Sequence, residues 1–205
     1  SLLDEMRWYG FMPNVISFNA AISACEKGGQ WERALSLLDD MRESGVAPDL
    51  ICFSAATSVC EKAGQWKRAL SLLDEMRESG FTPDVICFNA VISACEKGGQ
   101  WERALSLLDD MRESGVALDV RSFSAVISAC EKGGQWERAL SLLDEMRQSG
   151  VTPDVISFNA VISACEKGGQ WERALSLLDE MRWYGFMPNV ISFNAAISAC
   201  EKGGQ

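Results

Sequence analysis

The chain has 205 residues, of which 47% are hydrophobic and 23% are charged, and its formal net charge is −10 at pH 7. No apolar run reaches the roughly 18 residues that a membrane-spanning helix needs, so we predict a folded chain with no membrane partner. Histidine and Cys-x-x-Cys pairs are both missing from the sequence. This excludes a zinc site with Cys/His ligands, and we expect no metal or other cofactor.

Tandem repetition dominates the sequence. Tryptophan recurs every 35 residues, at Trp31, Trp66, Trp101, Trp136 and Trp171. In this period the chain divides into a fragment at 1–14, complete repeats at 15–49, 50–84, 85–119, 120–154 and 155–189, and a second fragment at 190–205. We therefore predict one array in which each repeat packs on its neighbours.

Each repeat begins with the pattern of an amphipathic helix. In repeat 155–189 the apolar residues Phe158, Val161 and Ile162 are followed by Cys165, which gives the spacing of one helical face. The pattern predicts a first helix of roughly 11 residues that ends near Lys167.

The sequence GGQ then interrupts the helical pattern. Gly168 and Gly169 provide the permissive backbone of a tight turn between two helices. A second apolar stripe predicts a second helix of roughly 14 residues. This stripe comprises Trp171, Ala174, Leu175, Leu178 and Met181. A glycine such as Gly150 is suited to cap the end of this helix in the left-handed conformation.

Neither helix of a repeat can bury its apolar stripe alone, whereas stacked hairpins can. The prediction is therefore an all-α fold, an α-solenoid in which the first helices line one surface and the second helices line the other.

The sequence of the repeat resembles that of one family of helical-hairpin repeats. Tetratricopeptide repeats have 34 residues and a W-x2-L-G-x2-Y opening, which these repeats lack. The period of 35, the first helix VISFNAVISACEKGGQ, the second helix ALSLLDEMRESG and the closing TPD are similar to pentatricopeptide repeats of the 35-residue P type. The resemblance implies a right-handed superhelix that binds single-stranded RNA, one base per repeat, as an adaptor in RNA processing, stability or translation.

In that family the fifth and the last residue of each repeat select the base. An amide or hydroxyl and a nearby carboxylate or amide together match the hydrogen-bonding edge of a base. The pairs are Asn19 with Asp49, Ser54 with Asp84, Asn89 with Asp119, Ser124 with Asp154, and Asn159 with Asn189; Asn14 and Asn194 hold the same positions in the two fragments. By resemblance these pairs imply the register U-G-U-G-Y, where Y is cytosine or uracil. An exposed polar helix position is the plainer interpretation of the fifth residue.

Two further positions carry implied RNA contacts. The second residue of each repeat packs on base faces in the family. Here it is Ile16, Ile51, Ile86, Arg121, Ile156 or Ile191, with Arg121 as a variant contact. A lysine near the end of each first helix is the expected phosphate partner, at Lys27, Lys62, Lys97, Lys132, Lys167 and Lys202. The acidic net charge opposes tight RNA binding, and we expect an attraction that salt weakens.

Enzymatic activity is not expected. Adjacent acids such as Asp39 and Asp40 point in different directions on a helix, and no activated nucleophile or glycine-rich phosphate loop accompanies them. The recurring cysteines, from Cys25 to Cys200, lie on the apolar stripe and are expected to be free and buried, which suits a reducing compartment. The resemblance implies a mitochondrion or plastid, but the sequence itself leaves the localisation open.

One motif breaks the pattern. WYGFMPN stands at residues 8–14 and 183–189, and residues 1–30 are identical to residues 176–205, so five repeats form a block of 175 residues. Its aromatic residues are Trp8, Tyr9, Phe11, Trp183, Tyr184 and Phe186. They predict a local contact between repeats or, alternatively, a patch for a partner protein. The regularity also allows a second function, a protein scaffold or a filament that self-associates through the ends of the solenoid.

Overall fold

The computed structural model describes residues 2–204, and in this range the chain forms twelve α-helices and no strand. The helices of the first fragment and of the first two repeats are α1 (Leu2–Trp8), α2 (Val15–Lys27), α3 (Trp31–Glu43), α4 (Leu50–Lys62) and α5 (Trp66–Glu78). The remaining helices are α6 (Val85–Lys97), α7 (Trp101–Glu113), α8 (Val120–Lys132), α9 (Trp136–Gln148), α10 (Val155–Lys167), α11 (Trp171–Trp183) and α12 (Val190–Gly203). The predicted fold class, an all-α solenoid of helical hairpins, is confirmed.

Both helices of a complete repeat have 13 residues, so the predicted lengths of roughly 11 and 14 were slightly wrong. The first helix is longer because Asp154, the last residue of the preceding repeat, caps α10 and brings Val155 and Ile156 into its first turn. The second helix is shorter because the chain leaves the helical conformation before the capping glycine.

The predicted glycine cap is confirmed at Gly150, whose φ is +75°. The Gly150 N–H donates to the Arg147 carbonyl, and the Val151 N–H donates to the Met146 carbonyl at 3.0 Å. These two bonds form a Schellman motif, which satisfies the last carbonyls of α9 and turns the chain towards the next repeat.

The core contains the same positions of every repeat. The fourth residue of each complete repeat is a phenylalanine that is fully or almost fully buried, namely Phe18, Phe53, Phe88, Phe123 and Phe158. The first-helix stripe of Phe158, Val161, Ile162 and Cys165 is buried as predicted. The second-helix stripe needs a correction, because Leu175 is 40% exposed whereas Leu177 is buried. Leu177 lies one turn beyond Ala174, and the buried face is centred on these two residues and Leu178 rather than on Leu175.

The helices form two compact units, Ser1–Ala94 and Cys95–Gln205, whose boundary falls inside α6. In the first unit α2 packs against α3 and α4, and α4 packs against α5. In the second unit α8 packs against α7, α9 and α10, and α10 packs against α9, α11 and α12. Within each unit, α2, α8 and α10 therefore contact both the helix that follows them and the next first helix.

The tryptophans were expected in the core, but Trp101, Trp136 and Trp171 are only partly buried. Each indole packs on the turn between the two helices of the next repeat. A Cβ atom at Gly168 would lie 2.4 Å from Cδ1 of Trp136. Gly168 itself has a right-handed φ of −83°, so the restriction at this position comes from the space that the Trp136 indole occupies and not from the backbone conformation. Repeat 50–84 has Ala63 at the equivalent position. The left-handed turn residue is Gly169, with a φ of +66°.

Across residues 2–204, no helix combines the length and the apolar character that crossing a bilayer would require.

Candidate functional site

The last residue of each repeat has a structural role that the sequence analysis missed. Asp49 Oδ1 accepts a hydrogen bond from the Cys52 N–H at 2.9 Å, and Asp154 Oδ1 accepts one from the Ser157 N–H at 2.8 Å. These residues are the N-caps of α4 and α10. The signal was present in the sequence, because an Asp or Asn stands directly before each apolar stripe.

In two repeats the fifth residue is an asparagine whose side chain lies beside that of the last residue. Asn19 Nδ2 donates to Asp49 Oδ2 at 3.0 Å. Asn159 Nδ2 lies 3.5 Å from Asn189 Oδ1, at the limit of a hydrogen bond. Asp49 therefore divides its two carboxylate oxygens, since one caps the helix and the other binds the amide of Asn19.

The environment of Asp49 keeps its carboxylate charged. Burial acts to raise its pKa, but the hydrogen bonds from the Cys52 N–H and the Asn19 amide outweigh burial and lower the pKa below the ordinary value. An anionic acceptor beside an amide is suited to bind the N–H of a base together with a neighbouring carbonyl.

The two serine repeats are arranged less uniformly. Ser124 Oγ lies 3.4 Å from Asp154 Oδ1, and Ser124 is only 7% exposed. In the other repeat Ser54 is partly exposed, and its Oγ lies 3.4 Å from Cys87 Sγ. Access to a base is therefore wider at Ser54 than at Ser124.

The Asn89 and Asp119 pair divides between the two compact units. Asn89 lies in the first unit and is almost buried, whereas Asp119 lies in the second unit, where it caps α8.

An unusual exposure of apolar side chains accompanies these polar pairs. The second residue of the repeat is isoleucine at five places, each with 60–73% of its surface exposed: Ile16, Ile51, Ile86, Ile156 and Ile191. Arg121 takes this position in α8 and is also exposed. At the five places where this position is isoleucine, its exposed side chain is an apolar surface suited to contact a planar ligand.

In the first unit this apolar surface borders a groove. Ile51 and Ile86 line it together with Ser54 and Glu26. The groove thus combines two second-position isoleucines with a fifth-position hydroxyl. Its chemistry is suited to a planar ring with a polar edge.

The lysines predicted as phosphate contacts are engaged in ion pairs. Each of four lysines binds the glutamate 36 residues before it, in the preceding repeat. The pairs are Lys62 with Glu26, Lys132 with Glu96, Lys167 with Glu131, and Lys202 with Glu166, at 3.0, 2.8, 2.6 and 2.8 Å. Lys27 and Lys97 hold the same position in α2 and α6. A phosphate that binds one of the four paired lysines must compete with a carboxylate.

A second set of ion pairs connects the second helices of neighbouring repeats. Arg42 binds Asp39 one turn before it at 3.3 Å and also binds Glu75 of the next repeat. Arg7 reaches the Ser44 hydroxyl instead, at 3.0 Å. Asp39 and Glu75 are thus partners in surface ion pairs.

The two parts of the WYGFMPN motif have different surroundings. Tyr184 and Phe186 pack on Phe158, with ring centroids 5.6 and 6.4 Å away, and the guanidinium of Arg147 lies 5.9 Å from the Tyr184 ring. Phe158 belongs to the same repeat as these two aromatics, so the contact between repeats is the one that Tyr184 makes with Arg147. Trp183 remains 80% exposed. In the first copy Trp8, Tyr9 and Phe11 are all exposed.

The recurring cysteines are free thiols, and all but Cys200 are buried. Burial raises the pKa of Cys60, Cys95, Cys130 and Cys165 to about 11. These thiols are therefore protonated near neutral pH and behave as small apolar residues, as the sequence predicted.

Family models match along most of the chain. A model for the PPR repeat family matches residues 13–56, 57–97 and 153–202. Models for a pentatricopeptide repeat domain and a PPR repeat match residues 106–168 and 86–116. The chain belongs to the pentatricopeptide repeat family. No curated protein matches the chain.

Solved structures of other pentatricopeptide repeat proteins share the fold. PPR10, in complex with an 18-nt psaJ RNA element, is 28% identical with a TM-score of 0.76, over 93% of this chain and 28% of the PPR10 chain. PPR10 from maize without RNA gives a TM-score of 0.71 at 29% identity, over 98% of this chain and 29% of that chain. The present chain thus spans less than a third of the length of PPR10. Nuclear proteinaceous RNase P 2 from A. thaliana has a TM-score of 0.82 at 15% identity, over 91% and 42% of the two chains, and shows the fold alone.

Proposed function

We propose that this chain binds single-stranded RNA in a base-specific manner, with one base per repeat and the register U-G-U-G-Y. The observation that carries the proposal is the direct contact between the fifth and the last side chain of a repeat, seen most clearly at Asn19 and Asp49. These two groups offer a donor and an anionic acceptor side by side, which is the combination that the edge of uracil requires.

The neighbouring isoleucines support the same proposal. Ile51 and Ile86 border one groove with Ser54, so a base in this groove would contact apolar side chains on its faces and a hydroxyl at its edge. Stacking and edge recognition together are the usual means by which proteins read unpaired RNA bases. The complex of PPR10 with RNA gives the family precedent.

The ion pairs set the expected affinity. Because Lys62, Lys132, Lys167 and Lys202 are bound to glutamates, binding of phosphate gains only the difference between two ionic contacts. We infer that the affinity is modest and that base recognition, rather than charge, provides most of the specificity. We also propose, on the family resemblance, a role as an adaptor in RNA processing, stability or translation.

The test compares U-G-U-G-C RNA with a scrambled oligonucleotide of the same composition, at low and at moderate salt. The proposal expects a preference for the ordered sequence at both salt concentrations and weaker binding at the higher one. Equal binding of both oligonucleotides, or no binding at low salt, would reject it.

Trp183 is the observation that favours a second function, contact with a partner protein. Its indole is 80% exposed, where the other complete repeats have Glu or Gln. Substitution of Trp183 by Glu, the residue of the ordinary repeats, would abolish such a contact and leave RNA binding unchanged.

A further inference from the structure

At four places the third residue of a repeat contacts the fifth residue of the repeat before it. Cys52 Sγ donates to Asn19 Oδ1 at 2.6 Å, and Ser192 Oγ donates to Asn159 Oδ1 at 2.5 Å. All third residues of this kind are buried. A buried donor that recurs against the same side chain fixes which end of the Asn amide points towards the last residue.

The serine repeats show the contact in a form that sets the direction of a hydroxyl. Ser157 Oγ lies 2.7 Å from both Asp154 Oδ1 and Ser124 Oγ. Its proton is committed to the carboxylate, because a charged acceptor forms the stronger bond. The Ser124 hydroxyl then donates to Ser157 Oγ, and its lone pairs remain for a ligand.

A natural comparison exists within the chain. Repeats 50–84 and 120–154 have the same fifth and last residues, serine and aspartate, but the following third residue is Cys87 in one case and Ser157 in the other. Ser54 Oγ lies 3.4 Å from Cys87 Sγ, whereas Ser124 and Ser157 are 2.7 Å apart. A thiol is a weaker hydrogen-bonding group than a hydroxyl, so the Ser54 hydroxyl remains able to donate or to accept.

We propose that the third residue of a repeat is a specificity-determining positioning residue for the preceding repeat: where the fifth residue is serine, a following serine holds its hydroxyl in one hydrogen-bonding direction, and a following cysteine leaves it free. The inference rests on the proposed RNA-binding function. Guanine offers N–H donors at its N1 and N2 atoms, whereas adenine offers an acceptor at N1. A serine held as an acceptor therefore discriminates guanine from adenine more sharply than a serine that can do both.

The test measures the ratio of affinities for guanine and adenine at the nucleotides that face repeats 50–84 and 120–154. In the unmodified protein this ratio of affinities should be higher at the nucleotide that faces Ser124 than at the nucleotide that faces Ser54. Cys87→Ser should raise the ratio roughly two- to ten-fold at the nucleotide facing Ser54 and nowhere else. Ser157→Cys should lower it by a similar factor at the nucleotide facing Ser124. Unchanged ratios in variants that still bind RNA specifically would overturn the inference while leaving the proposed function intact.

A measurement without RNA separates the two ideas further. In Ser192→Ala the side-chain amide of Asn159 loses the donor on its Oδ1 atom, so its NMR signals should shift and its hydrogen exchange should rise at least about two-fold. In Ser192→Cys the shift of the NMR signals and the rise in hydrogen exchange should both be smaller than in Ser192→Ala. An amide that does not respond to Ser192→Ala would overturn the positioning role even if RNA binding failed altogether.

Discussion

Lys202 Nζ lies 2.8 Å from Glu166 Oε1, in the repeat before it. The same glutamate accepts a hydrogen bond from Ser198 at 2.9 Å. The Glu166 carboxylate thus contacts two residues of the following repeat. One of them is the lysine that the family resemblance assigns to phosphate. In the proposed function, contacts between repeats and contacts with RNA compete for this lysine.

Removal of this competitor should strengthen RNA binding. For Glu166→Gln we expect a gain of up to roughly five-fold in affinity at low salt, because an exposed ion pair contributes about 0.2–1 kcal/mol, together with a steeper salt dependence. Fluorescence anisotropy at two salt concentrations measures both. Glu172→Gln is the matched control, since it removes the same charge from an exposed site on α11. Equal gains in the two variants would assign the effect to net charge alone.

Acid should weaken the contact between repeats. The hydrogen bond from Lys202 lowers the pKa of Glu166 below the ordinary value of 4.5, against the opposing effect of burial. Because the folded-state pKa is the lower one, the stabilisation is fully present above pH 4.5 and is lost as the pH falls through the folded value. Carboxyl NMR titration measures the pKa, which should return towards 4.5 in Lys202→Met. A value that stays low in that variant would contradict the assignment.

The double role of the last residue gives a prediction on stability. Asp154→Ala removes the N-cap of α10 and should lower the free energy of unfolding by about 1 kcal/mol. Asp154→Asn keeps a capping oxygen and should cost less, yet it should change the base preference of repeat 120–154. Thermal unfolding and RNA binding of both variants measure the two roles. An equal loss of stability in both would show that the cap depends on charge.

The contact between tryptophan and glycine can be tested with one methyl group. Gly168→Ala places a Cβ where the Trp136 indole lies and should lower the free energy of unfolding by about 1–3 kcal/mol. In the Trp136→Leu background the same substitution should cost less, because the smaller side chain leaves room. Chemical denaturation of the four proteins gives the coupling, and strictly additive losses would argue against the contact.

The aromatic motif offers a matched pair of substitutions. Tyr184→Ser removes a ring that packs on Phe158 and should cost about 0.5–1.5 kcal/mol in the free energy of unfolding. Trp183→Glu changes an exposed residue and should alter stability by less than about 0.5 kcal/mol. Both restore the residue found in ordinary repeats. A large loss of stability in Trp183→Glu would show that its indole is not free in solution.

The period and the apolar spacing were enough to predict the hairpins, the turn glycines and the buried cysteines. These features depend on neighbours within about one helical turn, as with Phe158 and Cys165. The pairing of Lys62 with Glu26 was out of reach. Lys62 pairs with a glutamate of the preceding repeat, although Glu61 is its neighbour in the sequence. Which residues meet across repeats depends on how the hairpins are offset when they stack.

Gly168 and Leu175 show the same limit. The sequence explained Gly168 by its backbone freedom, whereas the structure shows that Trp136 of another repeat occupies the space of a Cβ atom. Leu175 fitted the helical stripe, but the packed face includes Leu177 instead. At the candidate site, proximity of the fifth and last residues came from the family resemblance, and the capping role of Asp49 was visible in the sequence but was not recognised.

One substitution tests whether each repeat reads one base through its fifth and last residues. Ser54→Asn gives repeat 50–84 the asparagine and aspartate pair found at Asn19 and Asp49. Affinities are measured for four RNAs that differ only at the second nucleotide of U-G-U-G-C. The base preference at this nucleotide should change from guanine to uracil, while the preferences at the other nucleotides stay the same. An unchanged preference, or a change spread over all positions, would contradict it.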